Sequence, residues 1–218
     1  MQRLLDIFFS GIAIVILSPI LAPIACVLRV TGEGEVVYKQ ARVGKAGISF
    51  GLLKFATMLK DSPSIGSGEI TIKNDPRVLP LGKFLRKSKI NELPQLWNIF
   101  IGDMSIVGPR PMVPNTYAKY PLDAQKVLNT VRPGLTGIGS IIFRDEERLL
   151  DGREDPIGFY IENITPYKSD LELWFVENNT LWLYIKIIFV TAWVVFFPSS
   201  TIVDKAFDGI PIAPDSLI

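Results

Sequence analysis

The chain has 218 residues, of which 48% are hydrophobic, and its formal net charge is +1. This length suits one domain of ordinary size with a buried core, and the near-zero charge excludes a global field that would attract nucleic acid. The absence of histidine and the single cysteine, Cys26, exclude a Ser-His-Asp triad, His-ligated zinc and a disulfide framework. Chemistry is therefore expected to depend on carboxylates, basic side chains and a hard metal ion.

The first apolar segment, residues 4 to 28, is long enough for a helix that crosses the hydrocarbon core of a bilayer. Its centre contains Ser18, Pro19 and Pro23; each proline removes a helical hydrogen bond, and Ser18 can bond to a carbonyl that is left over. Basic residues flank the segment on both sides, which suits two ends on the cytoplasmic face. A spanning helix and a re-entrant helix are equally favoured by these residues, and a lipoprotein anchored through Cys26 is a weaker third alternative.

The next segments predict a mixture of strands and helices. VVYKQARVG and ISFGLLKFATM flank a Gly-Lys-Ala-Gly turn and predict a β-hairpin, and the Ser- and Gly-rich residues 61–74 predict a mobile loop. DPRVLPLGKFLRKSKINELPQLWNIFIGD then predicts a short helix, a turn and a second helix. A further helix from about Leu122 leads to VRPGLTGIGS, whose glycines indicate turns and close approach of the backbone.

The C-terminal part predicts helices that become apolar. The stretch ITPYKSDLELWFVENNTLWLYIKIIFV is aromatic and helical in character, and the second apolar segment, residues 181 to 197, carries Lys186 among its aromatic residues. Such a segment suits a helix lying in the membrane interface, and a buried core helix is nearly as well supported. Earlier in the chain, Asp145, Glu146 and Glu147 are candidate carboxylates, for which a solvated acidic face is the favoured interpretation.

The stretch KSKINELPQLWN is the central candidate for a functional site. If Asn91 caps a helix, Glu92 falls in its first turn, and a helix N-terminus attracts anions such as phosphate. Cations surround this stretch, with Lys83, Arg86, Lys87 and Lys89 at or before its start and Arg110 beyond it between two prolines. A glutamate among these cations suits Mg²⁺ that bridges to a diphosphate. From the residues alone, a simple helix cap with solvated lysines is favoured by about two to one over a catalytic site.

Several longer stretches, in this order, resemble the bacterial sugar transferases. They are LLDIFFSGIAIVILSPI, VVYKQARVG, LKFATM, LGKFLRKSKINELPQLWNIFIGDMSIVGPRP and VRPGLTGIGS, and the resemblance runs from about Arg3 to Thr191. The family is the monotopic phosphoglycosyl transferases, which load polyprenyl phosphate at the start of surface-glycan assembly. The resemblance implies an α+β, membrane-associated monotopic domain with a re-entrant N-terminal helix broken at Ser18-Pro19, a β-hairpin and interfacial helices.

The same resemblance implies a domain organisation and a set of partners. The expected domains are a re-entrant membrane helix over residues 1–30, a catalytic core over 31–150 and a helical membrane-interface region over 151–218. The expected activity moves sugar-1-phosphate from a UDP-sugar to polyprenyl (undecaprenyl) phosphate with Mg²⁺ and releases UMP. The expected location is the cytoplasmic face of the bacterial inner membrane, in contact with the lipid bilayer and without nucleic acid, and a homo-oligomer is left open.

One position departs from the family pattern, which has an Asp-Glu pair before LPQL where this chain has Asn91-Glu92. The family's aspartate is the proposed nucleophile and its glutamate helps to bind Mg²⁺, but an amide is a far weaker nucleophile than a carboxylate. In the favoured explanation Glu92 is the nucleophile and the Asn91 carbonyl assists the metal. In the second, polyprenyl phosphate attacks directly. In the third, the chain is a catalytically inactive membrane scaffold of a glycan-assembly complex, by nature or by engineering.

Other polar residues match the family pattern or lie near it. Arg86 and Arg110 are implied to bind the donor diphosphate or the acceptor phosphate. Lys54, in LKFATM, and Arg132, in VRPG, are implied to do the same, with structural ion pairs as the alternative. Asp103 is a further candidate carboxylate.

Overall fold

The computed structural model describes residues 1–31, 33–65, 75–144, 146–197, 200 and 202–217, and it combines helices with small sheets. This combination confirms the expected mixture of helices and strands. The chain forms two compact units: the first unit comprises Asp6–Ala41 and Gly51–Gly102, and the second unit comprises Met1–Leu5, Arg42–Phe50 and Asp103–Ile218. The expected division at residues 30 and 150 stays a prediction.

A long apolar helix, α1 (Gln2–Val30), begins the chain. Pro19 leaves the Val15 carbonyl without its helical donor, and the Ser18 hydroxyl donates to that carbonyl at 2.8 Å, as predicted. The helix continues through Pro19 and Pro23. The re-entrant turn at Ser18-Pro19 stays a prediction.

Most of α1 presents apolar side chains to its surroundings. In the described part of the chain it is the one helix that could cross a membrane by length and composition, with a mean hydropathy of 2.5 in an apolar window that is 6% buried. Towards its end, Leu28 packs with Phe55 and Leu85 in the core of the first unit. Cys26 is exposed on the same helix, and lipid attachment there stays a hypothesis.

The predicted β-hairpin is confirmed. β1 (Val37–Val43) pairs with β2 (Ser49–Phe55), and a 3-10 turn over Lys45–Gly47 joins them. Ala46 takes a left-handed φ of 58°, and its N–H donates to the Asn129 carbonyl at 2.9 Å. This bond fixes the tip of the hairpin within the second unit.

The first unit also contains α2 (Pro80–Lys87) and α3 (Gln95–Ile101), which confirm the predicted helix, turn and helix. Asn98 in α3 is buried and bonds main-chain groups of β2. Its Oδ1 accepts from Leu53 N–H at 2.9 Å, and its Nδ2 donates to the Gly51 carbonyl at 2.9 Å. The α3 helix therefore satisfies two main-chain groups that would otherwise need another strand.

The predicted loop over residues 61–74 is described in part, because residues 66–74 lie outside the described residues. Arg77, just beyond, is buried and pairs with the Asp75 carboxylate at 2.6 Å. It also donates to the Ser62 carbonyl at 2.7 Å. Arg77 therefore ties the start of the loop to the segment that leads into α2.

Two short parallel strands belong to the second unit. β3 (Ser105–Val107) pairs with β4 (Gly134–Thr136), with the first residues of the two strands opposite each other. The connection between the strands carries α4 (Pro114–Tyr117) and α5 (Leu122–Leu128). The position of α5 confirms the helix predicted from Leu122.

The remaining helices follow β4 in chain order. They are α6 (Ile138–Ile142), α7 (Glu146–Leu150), α8 (Pro156–Phe159), a π-helical turn (Tyr160–Ile164), α9 (Thr165–Glu177), α10 (Leu181–Phe196) and α11 (Ile202–Ala206). The core of this unit is built largely from α6, α9 and α10. Its most buried residues include Ile138, Leu171, Phe175, Tyr184 and Ile187.

Helix α10 has one buried and one exposed face. It begins at Thr180, whose hydroxyl accepts from Leu183 N–H at 3.1 Å and so caps the helix. Leu183 and Ile187 are buried in the core, whereas Trp182 and Phe189 are 71% and 70% exposed. The buried face supports the core-helix alternative, and the exposed aromatic face leaves the membrane-interface prediction open.

Candidate active site

The stretch singled out by its sequence forms a tight turn between α2 and α3. Lys89 N–H donates to the Arg86 carbonyl at 3.1 Å, and Glu92 N–H donates to the Lys89 carbonyl at 3.0 Å. Lys89 takes a left-handed φ of 60°, which redirects the chain without a glycine. Asn91 and Glu92 therefore lie in a 3-10 turn, Ile90–Glu92, directly before α3.

The capping role expected for Asn91 is wrong. Helix α3 is preceded by Pro94, whose φ of −58° suits the entry into a helix. Asn91 lies three residues before Pro94, and the Leu93 N–H donates to the Ile90 carbonyl at 3.1 Å. This extra 3-10 turn between Asn91 and the helix is the reason that the cap prediction fails.

The Asn91 side chain is nevertheless unusual for a buried amide. It is 6% exposed, and its Oδ1 has no hydrogen-bond partner in the part of the chain that the structure describes. Leaving a buried acceptor unsatisfied costs about 1–3 kcal/mol, so this oxygen is suited to bind a partner such as an ordered water, a ligand or an ion. Glu92, the next residue, is half-buried.

The Asn91 oxygen and the Glu92 carboxylate fit Mg²⁺ in donor type and number. Mg²⁺ prefers oxygen ligands and is usually held by one or two protein groups together with substrate phosphates and water. The described residues contain no group of three or more His, Cys, Asp or Glu side chains placed to hold a metal. A site with few protein ligands, completed by a phosphorylated substrate, is therefore the kind that these two residues can form.

Two of the predicted phosphate-binding residues lie in the same unit as Asn91 and Glu92. Lys54 is a half-buried residue of β2, and Arg86 is half-buried in the last turn of α2. The Arg86 Nη1 lies 3.4 Å from the Met58 sulfur. Exposed lysines of α2 and the following turn add positive charge, which favours anionic ligands.

The other two predicted phosphate-binding residues lie in the second unit. Arg110 belongs to the segment Gly108–Pro111, called here the Arg110 loop, and its side chain is exposed. Gly108 is pressed so closely against the Arg132 carbonyl that a side chain at this position has no room. The two predicted arginines therefore lie on neighbouring backbone segments. The recess beside Arg110 is small, about 20 Å³, which is space for a water molecule.

Four hydrogen bonds hold the Arg110 loop, one at each of its residues. Gly108 N–H donates to the Thr136 carbonyl at 2.9 Å, and the Pro109 carbonyl accepts from Gly134 N–H at 2.8 Å. The Pro111 carbonyl accepts from Arg42 Nη1 at 2.8 Å. The fourth bond runs from Arg110 N–H to Oε1 of Glu172, at 3.2 Å.

Glu172 is a residue that the sequence analysis missed. It is 4% exposed and lies in the buried face of α9 beside Leu171 and Phe175. Burial raises its pKa to about 7, although the Arg110 N–H and the nearby Lys168 charge act in the opposite direction. The sequence LELWF places this glutamate among apolar residues of a helix, and this pattern could have indicated that Glu172 is buried.

An ion pair lies close to Glu172. Lys168 Nζ donates to Oε1 of Glu146 at 2.6 Å, and its side chain is 12% exposed. Burial lowers the pKa of Lys168, and burial together with the Glu146 charge raises the pKa of Tyr160 to about 12. The solvated acidic face expected for Glu146 is therefore wrong, because this carboxylate is partly buried against a lysine.

Comparison with known proteins decides the family. The sequence profile of the bacterial sugar transferases matches residues 1–198. The chain belongs to the bacterial sugar transferase family. This membership confirms the resemblance inferred from the KINELPQLWN and GPRP stretches.

The chain has several relatives with named activities. It is 33% identical over 202 residues to the UDP-glucose:undecaprenyl-phosphate glucose-1-phosphate transferase of Klebsiella pneumoniae, covering 91% of this chain and 41% of the relative. It is 34% identical over 210 residues to the undecaprenyl-phosphate galactose phosphotransferase of Salmonella typhimurium, covering 89% and 40%. The chain thus spans about two-fifths of the length of these relatives.

A shorter relative is covered more completely. The exopolysaccharide production protein PSS of Rhizobium leguminosarum is 35% identical over 146 residues, which are 65% of this chain and 73% of that protein. This comparison also supports membership of the bacterial sugar transferase family.

The remaining predicted carboxylates of this bacterial sugar transferase take separate places. Asp103 is half-buried between α3 and β3, in the second unit. Asp145 lies outside the described residues, and the side chain of Glu147 is not described. The structure thus groups Lys54, Arg86, Asn91 and Glu92 in the first unit and Arg110, Arg132 and Asp103 in the second.

Proposed function

We propose that the chain moves sugar-1-phosphate from a UDP-sugar to polyprenyl (undecaprenyl) phosphate and releases UMP, as the first membrane step of surface-glycan biosynthesis. The observation that carries this proposal is the family match over residues 1–198, because the relatives' names describe transfer of this kind. The sugar is left unspecified, since the named relatives differ in it: glucose in one and galactose in another.

The proposed location is the cytoplasmic face of the bacterial inner membrane, with α1 entering the bilayer as a re-entrant helix. The exposed apolar surface of α1 supports contact with lipid, and the Ser18 bond to a carbonyl freed by Pro19 supports a bend at this point. On α3, Trp97 and Phe100 stack with ring centroids 5.8 Å apart, and both are exposed. Exposed aromatic rings of this kind favour the membrane–water interface.

We propose that Glu92 and Asn91 hold Mg²⁺ through their side-chain oxygens. When bound, the ion neutralises charge on the phosphate oxygens of the substrate. Lys54, Arg86, Arg110 and Arg132 are proposed to bind phosphate groups of the donor or acceptor. Arginine suits this role because its planar guanidinium can donate two parallel hydrogen bonds to a phosphate.

In the proposed mechanism the Glu92 carboxylate is the nucleophile. One of its oxygens forms a bond to the β-phosphorus of the UDP-sugar, the bond from that phosphorus to the bridging oxygen breaks, and UMP leaves with the electron pair. A phosphate oxygen of the acceptor then attacks the same phosphorus and displaces the Glu92 carboxylate. Asn91 is neutral, so it adds no negative charge that would repel either the diphosphate or Glu92.

Two alternatives stay open because Asn91 replaces the aspartate of the family pattern. In the first, the acceptor phosphate attacks the β-phosphorus directly, and Glu92 serves as a metal ligand without a covalent step. In the second, which belongs to a different functional class, the chain is a catalytically inactive membrane scaffold of a glycan-assembly complex. The buried Asn91 oxygen without a partner among the described residues is compatible with all three, so activity has to decide.

The deciding experiment measures UMP release from a panel of UDP-sugars with Mg²⁺, with and without undecaprenyl phosphate. The unmodified chain, Glu92→Gln and Asn91→Asp are compared, with Glu177→Gln, an exposed glutamate of α9, as the matched control. Acceptor-dependent release that vanishes in Glu92→Gln alone supports the proposed function, and a stoichiometric burst without acceptor supports the covalent route. Release without a burst supports direct attack. Activity found only in Asn91→Asp, or in none of the proteins, supports the scaffold.

A further inference from the structure

The Arg110 loop has few groups through which the protein can position it. Pro109 and Pro111 have no N–H, so the loop offers only the N–H groups of Gly108 and Arg110 as main-chain donors. Gly108 N–H bonds the β4 backbone, whereas Arg110 N–H bonds the Glu172 side chain. Two side chains therefore bond the main chain of the loop: Arg42 donates to the Pro111 carbonyl, and Glu172 accepts from the N–H of Arg110 itself.

We propose that Glu172 is a positioning residue, which holds Arg110 by accepting its backbone N–H so that the exposed guanidinium is presented to a substrate phosphate. This inference rests on the function proposed above, and it names a residue outside the motif that led to that function. Its geometric basis is the 3.2 Å bond from Arg110 N–H to the carboxylate of a helix buried in the core.

The surroundings of Glu172 leave it little freedom to move. A methyl group on Gly139 of α6 would lie 2.6 Å from Oε1, so this glycine makes room for the carboxylate. Lys168, on the same helix, is close enough to interact electrostatically with Glu172. Tyr120, in the segment between α4 and α5, also interacts with the Glu172 charge. Oε1 of Glu172 therefore lies close both to Gly139 of α6 and to the main chain of the Arg110 loop.

The second carboxylate oxygen indicates that Glu172 holds Arg110 through a hydrogen bond and not through its negative charge. Oε2 of Glu172 is buried, and no described atom forms a hydrogen bond with it. Burial also raises the pKa of Glu172 to about 7, so the neutral acid is well populated near neutral pH. A neutral carboxyl group still accepts through its carbonyl oxygen, and glutamine should therefore replace glutamate here.

The first test measures hydrogen exchange of the Arg110 amide by mass spectrometry on the full chain in nanodiscs. Because two prolines flank Arg110, a peptide over the loop reports on very few amides. We expect faster exchange at Arg110 in Glu172→Met and in Gly139→Ala, which displaces the carboxylate without removing it. Glu172→Gln and the control Glu177→Met should exchange as the unmodified chain does. Unchanged exchange in Glu172→Met would overturn the proposal.

The second test measures binding of two phosphate probes, UDP for the donor and farnesyl phosphate for the acceptor, without requiring turnover. We expect Glu172→Met to weaken binding of one of them about tenfold, which is the effect of losing one hydrogen bond near a charged group, while Glu172→Gln binds normally. The weakened probe identifies the substrate that Arg110 contacts. Equal binding of both probes by Glu172→Met and the unmodified chain would overturn the inference.

These outcomes separate the inference from the proposed function. A chain that releases no UMP but shows faster Arg110 exchange and weaker probe binding in Glu172→Met refutes the transferase activity and keeps the positioning role. Loss of binding through unfolding is distinguished by the melting temperature. Methionine removes a buried, partly unsatisfied carboxyl group, so we expect Glu172→Met to melt no lower than the unmodified chain.

Discussion

The Ser18 hydroxyl donates to the Val15 carbonyl at 2.8 Å, and this is the carbonyl that Pro19 deprives of its helical donor. The serine and the proline thus act as a pair within α1, in which one residue satisfies the group that the other leaves open. In an apolar environment an unsatisfied carbonyl is costly, because no water replaces the lost donor.

We expect Ser18→Ala to destabilise the chain by about 1 kcal/mol, which for a protein of this size lowers the melting temperature by about 2–4 °C. The measurement is thermal unfolding of the full chain in nanodiscs. Ser88→Ala is the matched control, because the Ser88 hydroxyl bonds the Phe84 carbonyl four residues back without a proline involved. Equal losses of stability in the two variants would show that the Ser18 bond contributes no more than an ordinary serine bond within a helix, despite Pro19.

Removal of the Asn98 side chain should destabilise the chain more than Ser18→Ala does. Asn98→Ala removes both partners of the β2 main chain, the Leu53 N–H and the Gly51 carbonyl, and it leaves a cavity in a buried position. We expect a loss of about 2–4 kcal/mol. Thermal unfolding checks this value against Asn178→Ala, which removes an exposed asparagine. A difference below about 1 kcal/mol would mean that β2 does not depend on α3.

Asn91→Asp tests the proposed metal ligands independently of activity. The substitution places a charged oxygen where Asn91 has a buried oxygen without a described partner, so without metal we expect the melting temperature to fall. With Mg²⁺ we expect it to rise more than that of the unmodified chain, because the ion compensates the new charge. Asn178→Asp, at an exposed position, should gain no response to Mg²⁺. A melting temperature of Asn91→Asp that does not respond to Mg²⁺ would refute the ligand role.

The buried Glu172 predicts a dependence of stability on pH. Its pKa rises from 4.5 to about 7 on folding, so between these values the folded state binds more protons than the unfolded state. The unfolding free energy contributed by this group is therefore largest below pH 4.5 and falls as the pH rises through about 7. The full change is on the order of 3 kcal/mol.

Melting temperatures of the unmodified chain and Glu172→Gln, measured from pH 5 to pH 8, check this dependence. We expect the difference between the two proteins to grow in favour of Glu172→Gln as the pH rises, since glutamine does not titrate. Glu177→Gln controls for an exposed glutamate on the same helix. Parallel curves for Glu172→Gln and the unmodified chain would show that Glu172 does not titrate in this range.

The sequence predicts those parts of the fold that depend on local pattern. The two stretches that flank a Gly-Lys-Ala-Gly turn predict the hairpin, the helix from Leu122 is placed correctly, and the stretch from Ile164 is helical as predicted. The pairing of β3 with β4 is not predictable in this way, because each strand has three residues and a long connection separates them. These short segments become strands because the folded chain brings them together.

The candidate site, like the fold, is predictable where it depends on local sequence and not where it depends on tertiary packing. Arg110, Asn91 and Glu92 are identified as candidates by their motifs. The cap that the residues alone favour for Asn91 is wrong, because the sequence does not reveal the 3-10 turn that separates Asn91 from α3. Glu172 was missed because a charged residue in a helix is ordinarily exposed. Its burial follows from the packing of α9 against other parts of the second unit, which no local pattern specifies.

The close approach of Gly108 to the segment before β4 has an evolutionary consequence. Because main-chain atoms meet there with no room for a side chain, the crossing at Gly108 does not depend on the neighbouring side chains, while Glu172 and Arg42 bond the loop further along, at Arg110 and Pro111. Positions around this crossing can therefore change over evolution while position 108 has to stay a glycine, because any side chain there would collide with the Arg132 carbonyl.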